Sequence, residues 1–143
     1  MKIFIPMAGK GTRLRPFTLT CPKPLINILD KPIVEHLIDQ ITSKVKSNID
    51  EIVYILGDES YFNAEVVHSL NIISEKYNAK TKIYRQLEQL GTGHAIMCAE
   101  ESLSGPSIIA YADTMLQGTI EIDTQVDGIM WVKKVDNPSA YGV

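Results

Sequence analysis

Cysteine is scarce in this chain. Cys21 and Cys98 lie far apart and show no Cys-x-x-Cys or Cys/His ligand spacing, so a disulfide scaffold and a thiolate metal site are both excluded and two free thiols in a reducing compartment are expected. Long apolar runs are missing too. The apolar start Ile3–Ile5 is cut by Pro6 before it reaches the length of a signal peptide's hydrophobic region, and no later run approaches a membrane span. The expected location is cytoplasmic, with no membrane partner. Nor is there a broad excess of base: 14 Lys and Arg against 17 Asp and Glu give a net charge of −3 and a pI of about 5.6, which argues against a general nucleic-acid or membrane-surface binder. Internal repeats, low-complexity tracts and interdomain linkers are absent as well.

Acid is missing in one place where that matters. No Asp or Glu occurs before Asp30, whereas Lys10, Arg13, Arg15 and Lys23 fall within the stretch Ala8–Leu25, so positive potential is concentrated there. This stretch lies between a short apolar run ending at Met7 and a helical pattern beginning near Pro32, and a loop of that length is usually functional. Gly9 and Gly11 remove side chains where an anion could approach the backbone and can supply consecutive N–H groups as a nest. A polyphosphate is the natural occupant. Two common phosphate loops do not match: the Walker A pattern needs a Gly where Phe4 stands, and the dinucleotide fingerprint needs Gly or Ala where Leu14 stands.

The remainder, 45% apolar over 143 residues with a mean hydropathy of +0.01, reads as one globular domain able to bury a core. Strand-like and helix-like patterns alternate. Strands are expected at 2–8, 51–57, 81–86, 106–112 and 128–135, and helices at 32–46, 61–77 and 93–103. The class is α/β, a three-layer, Rossmann-like and mostly parallel sheet with helices on both faces. In such a fold ligands bind beyond the carboxyl ends of the strands, so the loop 9–24, the segment Gln86–His94 and Asp113 should share one edge. Gln86 can donate and accept at once, which suits the imide edge of uracil or thymine, while Gly91 and Thr92 offer backbone groups. For His94, in the first turn of a helix, capping or packing is expected. Asp113, directly after an apolar strand, has little structural purpose there unless it caps or binds a cation.

The order Gly-x-Gly-Thr-Arg-Leu-x-Pro (9–16), Pro-Lys-Pro-Leu (22–25) and Lys31-Pro32 resembles the signature of the sugar-phosphate nucleotidyltransferases, and 86–95 is similar to the base-recognition segment of their uridylyltransferase branch. The resemblance implies a nucleoside-diphosphate-sugar transferase fold. It further implies transfer of a nucleoside monophosphate from a triphosphate, dTTP or UTP before others, to a sugar 1-phosphate, with release of pyrophosphate. Arg13, Lys23 and Asp113 would be catalytic, Asp113 also binding Mg2+; Met7, Ala8, Gly9, Gly11, Thr12, Gln86, Gly91 and Thr92 would bind the nucleotide, and Gly142 the sugar. Ala112 departs from the family's Gly-Asp pair. Asp136-Asn137-Pro138 with Tyr141-Gly142-Val143 is similar to the start of the sugar-site strand, so 1–143 is expected to be the amino-terminal, nucleotide-binding portion of the domain and inactive alone. Two alternatives stay open, a cytidylyltransferase acting on an alcohol phosphate and a non-catalytic nucleotide-binding homologue, and homo-oligomerisation is likewise left open.

Overall fold

Side chains alternate across the first strand: Ile3 and Ile5 enter one core and Phe4 another, all three fully buried. A strand buried on both sides belongs at the centre of a sheet, and that is where the computed structural model, which describes residues 1–123, 125–137 and 139, places it. In chain order the elements are β1 (Lys2–Pro6), a two-stranded hairpin of β2 (Asn27–Ile28) and β3 (Lys31–Pro32), α1 (Ile33–Lys44), β4 (Glu51–Leu56), α2 (Ala64–Glu75), β5 (Lys80–Arg85), α3 (Thr92–Met97) and β6 (Ser107–Ile109). The main sheet has the order β5-β4-β1-β6, and every pairing in it is parallel.

Three layers follow from the same alternation. On one face Ile3, Ile5, Ile52, Tyr54 and Leu56 meet Leu37, Ile38 and Ile41 of α1 and Val66, Leu70 and Ile73 of α2. On the other, Phe4, Val53 and Ile55 meet Ala95 of α3 and Ala99 beyond it. Each fully buried Leu or Ile contributes about 1.5–3 kcal/mol of transfer free energy, so this core, and not helix propensity, holds the domain. Truncation of Leu37 to Ala would cost about 2–5 kcal/mol.

Local chemistry sets the helix ends. Asn63 Oδ1 accepts from the N–H groups of Glu65 and Val66, both at 3.1 Å, so α2 begins at Ala64 rather than at Tyr61. Helix α1 stops at Lys44 because Val45 turns extended. Buried Glu35 on α1 receives both carboxylate bonds from Lys76 Nζ, at 2.8 and 2.9 Å, which ties α1 to the end of α2.

Two expectations are corrected. The helix expected over 93–103 is split into α3 and a 3-10 turn at Glu100–Ser102. No strand forms at 128–135: Ile129, Met130, Trp131 and Val132 are 38%, 84%, 48% and 82% exposed, and the run pairs with no described strand, although β5 and β6 each leave an outer edge unpaired among the described residues.

Candidate active site

The chain runs β1 to β4 to β5 toward one side of the sheet and then returns to β6 on the other side of β1. The strand order therefore reverses between β1 and β6, and a crevice opens beyond their carboxyl ends, where ligands bind in open α/β sheets. A cavity of about 510 Å3 occupies this point, and a second of about 280 Å3 adjoins it toward β5; Pro6, Met7, Gly9, Gln89 and Tyr111 line both.

The long loop after β1 forms the wall of the larger cavity. It is built from three short 3-10 turns, Thr12–Leu14, Phe17–Leu19 and Lys23–Leu25. Gly11 opens the first in the left-handed region at φ 61°, where a Cβ would also lie 3.1 Å from both Thr18 Cγ2 and Lys23 Cβ. Thr18, almost fully buried, donates from Oγ1 to the Gly11 carbonyl at 2.9 Å and closes the coil. Beneath it Gly57, at the end of β4, lets two backbones touch: a Cβ there would meet the Ala8 carbonyl at 2.7 Å.

Met7 N–H still pairs with Ile55, but the N–H groups from Ala8 to Gly11 donate to no protein acceptor among the described residues. Free donors in a row beside an open cavity constitute an anion nest. Arg13 and Lys10 line the same cavity and are exposed, so the charge density read from the sequence faces the crevice. Arg15 lines neither cavity. Lys10 and Arg85 also help hold the Asp58 carboxyl below its ordinary range, after the larger effect of hydrogen bonds from Ser60.

Across the crevice, Asp113 follows β6 and accepts from Lys23 Nζ at 2.9 Å. These two groups, 90 residues apart in sequence, close the larger cavity between the β1 loop and the β6 end. Asp113 offers hard oxygen ligands to a cation, and no group of three His, Cys, Asp or Glu side chains among the described residues could hold an ion without further ligands. One carboxylate completed by substrate phosphates and water is a donor set that suits Mg2+.

The smaller cavity is lined by Ala8, Gln86, Gly91 and Thr92. Gln86 is buried, and its Nε2 donates to the Gly91 carbonyl at 3.0 Å and lies 3.1 Å from His94 Nδ1. Its amide nitrogen is thus committed to shaping the 86–94 turn, while Oε1 accepts no hydrogen bond among the described residues. The N–H groups of Gly91 and Thr92 are likewise without protein acceptors among those residues. His94 serves packing and this internal bond, as expected from its place in the first turn.

All the nucleotide-binding and catalytic candidates therefore converge on two adjoining cavities, except that Gly142 lies outside the described residues, as do Pro138, Tyr141 and Val143. Gln89 and Tyr111 line both cavities and were not singled out from sequence. The available signal was position, Gln89 inside the quoted segment and Tyr111 at the end of the strand that carries Asp113. Among the described residues no helix is long and apolar enough to cross a membrane.

A family model described as nucleotidyl transferase matches residues 4–143. The bifunctional protein GlmU of Methanococcus maripaludis is 34% identical over 143 residues, covering all of this chain and 32% of that protein. The mannose-1-phosphate guanyltransferase of Emericella nidulans is 34% identical over 152 residues, covering all of this chain and 40% of the relative. This chain thus spans about a third of the length of the curated relatives it matches. Among solved structures, a UDP-glucose pyrophosphorylase complexed with UDP-glucose superposes with a TM-score of 0.59 at 25% identity, over 78% of this chain and 45% of the other.

Proposed function

Because this chain belongs to the nucleotidyl transferase family, we propose that the full-length protein joins a nucleoside monophosphate, taken from UTP or dTTP, to a sugar 1-phosphate and releases pyrophosphate. The observation that carries this reading is the larger cavity, where the free N–H groups from Ala8 to Gly11, the Arg13 side chain and the Lys23–Asp113 pair face one another at the reversal of strand order.

A sugar 1-phosphate is already an anion, so no general base is needed to make it nucleophilic. The barrier lies in bringing two highly charged phosphates together, and the protein's work is positioning and neutralisation. In this reading the Ala8–Gly11 amides hold the triphosphate, and Arg13 stabilises the charge that develops on the departing pyrophosphate. Lys23 leaves Asp113 to hold phosphate oxygens near the reacting centre. Asp113 is then free to take a Mg2+ ion, which when bound supplies positive charge beside the phosphates.

The smaller cavity would take the base. The imide edge of uracil or thymine presents a carbonyl, an N–H and a carbonyl, which calls for a donor, an acceptor and a donor. The Gly91 and Thr92 amides and Gln86 Oε1 supply those types. Guanine would need a second acceptor in place of one amide. It is kept as the second reading because a mannose-1-phosphate guanyltransferase is among the relatives.

The test is pyrophosphate release by the full-length protein across a matrix of UTP, dTTP, GTP and CTP against sugar 1-phosphates and phosphocholine. Release that requires both UTP or dTTP and a sugar 1-phosphate supports the reading. Release with CTP and phosphocholine alone, or with no pair, contradicts it.

A further inference from the structure

The phosphate loop packs on the core through Pro24 and Leu25 but has few polar ties to the rest of the protein. Its backbone bonds are local, Leu14 to Gly11, Leu19 to Pro16 and Leu25 to Pro22. Among the described residues, the long-range polar ties of 9–25 are the Lys23–Asp113 pair and the hydroxyl of Tyr61. The first tie is made of two groups that the proposed reaction uses, so it parts when substrate enters. The second is independent of the reacting groups.

Tyr61 lies in the turn between β4 and α2, outside both cavities. Its hydroxyl donates to the Thr18 carbonyl at 2.7 Å, with the Cys21 and Lys10 carbonyls at 3.2 and 3.4 Å. One hydroxyl thus gathers carbonyls from the beginning, middle and later part of the loop. The ring that carries it is itself fixed. It packs edge-on against fully buried Phe62 with centroids 5.1 Å apart, and its turn is closed by the Asp58 carbonyl, which accepts from Tyr61 N–H at 3.2 Å and Phe62 N–H at 2.9 Å. Arg85, the last residue of β5, donates from Nη1 to the Gly57 and Phe62 carbonyls at 2.9 and 3.0 Å. A continuous set of bonds therefore runs from the end of β5, where the base segment begins, through the Tyr61 turn to the phosphate loop. Burial pushes the phenol up, which keeps it a donor.

We propose that Tyr61 is a positioning residue whose hydroxyl clasps the phosphate loop, holding the Ala8–Gly11 amides toward the crevice before nucleotide arrives and after Lys23 has left Asp113. This rests on the crevice being the triphosphate site. A preformed nest is occupied without first ordering the loop, so the clasp should act on affinity.

The test uses Tyr61→Phe in the full-length protein, which keeps the ring and removes the clasp. Tyr77→Phe is the control, since it removes a hydroxyl bonded to Asp39 at 2.7 Å, remote from the crevice. Backbone hydrogen exchange without nucleotide and calorimetric titration with UTP and Mg2+ are measured for both. In Tyr61→Phe, exchange over 8–25 should rise severalfold while β1 and β4 stay protected, and UTP affinity should fall about fivefold to tenfold. Tyr77→Phe should change neither. Unchanged loop exchange in Tyr61→Phe, a faster-exchanging loop with wild-type affinity, or an equal affinity loss in Tyr77→Phe would each overturn the proposal. If the wild-type protein binds no UTP the functional reading fails, and the exchange measurement still decides whether the hydroxyl holds the loop.

Discussion

Replacing Asp113 with Asn separates a functional carboxylate from a structural one. The substitution keeps the size and removes the charge that pairs with Lys23 Nζ at 2.9 Å. Both partners are open to water, at 31% and 59% exposure, so Coulomb attraction is screened and the pair contributes about 0–1 kcal/mol to folding. For a domain of this size that loss corresponds to a fall in Tm of no more than about 4 °C. Turnover should respond on a different scale. A carboxylate that holds a cation against developing phosphate charge is worth several kcal/mol in the transition state, so pyrophosphate release should fall on the order of 100-fold or more. Excess Mg2+ should restore little of it, because a neutral amide holds a hard cation weakly. The assay is pyrophosphate release against Mg2+ concentration, with a thermal melt on the same preparation. A mutant with wild-type Mg2+ dependence and wild-type turnover would refute the reasoning and place any metal site elsewhere. A large loss of Tm would show that Asp113 is structural.

Arg13→Ala should lower kcat on the order of 100-fold while changing UTP affinity less, and Arg13→Lys should rescue it only in part because an ammonium lacks the planar fork, as steady-state kinetics would read. Gly57→Ala forces a Cβ to 2.7 Å from the Ala8 carbonyl, so stability should fall by about 1–3 kcal/mol in denaturant melts and UTP affinity should fall with it. Tyr54→Phe removes a buried hydroxyl 3.1 Å from Ser74 Oγ and should cost about 1 kcal/mol by the same melts without touching UTP affinity, since the pair lies away from both cavities. The Asp58 carboxyl, held below its ordinary value by hydrogen bonds from Ser60, contributes stability that is complete above the ordinary carboxylate pKa and lost as pH falls through the lower folded value. The acid limb of a Tm–pH curve should therefore be shallower in Asp58→Asn.

Much of this was legible because the pattern and the physics agree. The stretches that form β1 and β4 read as strands because their apolar residues run with little polar interruption, and a strand covered on both faces can carry such a run. The long loop that walls the larger cavity was legible from its glycines, its cations and the absence of acid before Asp30. The strand expected at 128–135 failed because pairing depends on tertiary docking that a local pattern does not record: β5 and β6 each leave an outer edge unpaired among the described residues, and the run lies on neither. The Gln86 carboxamide lines the smaller cavity, but its partner at the Gly91 carbonyl depends on a turn that the sequence does not spell out. Tyr61 had no signal at all. Its role depends on reaching carbonyls 40 to 51 residues away, and a tyrosine before a helix ordinarily reads as packing.

We propose above that the crevice between the β1 and β6 ends receives the triphosphate. The most direct measurement is an amide NMR titration of the protein with UTP in Mg2+. If UTP occupies the crevice, saturable shifts appear at the Ala8–Gly11 amides and at Gly91 and Thr92, with the β4 core amides unmoved. Saturable shifts confined to another surface, or none at all, would contradict it.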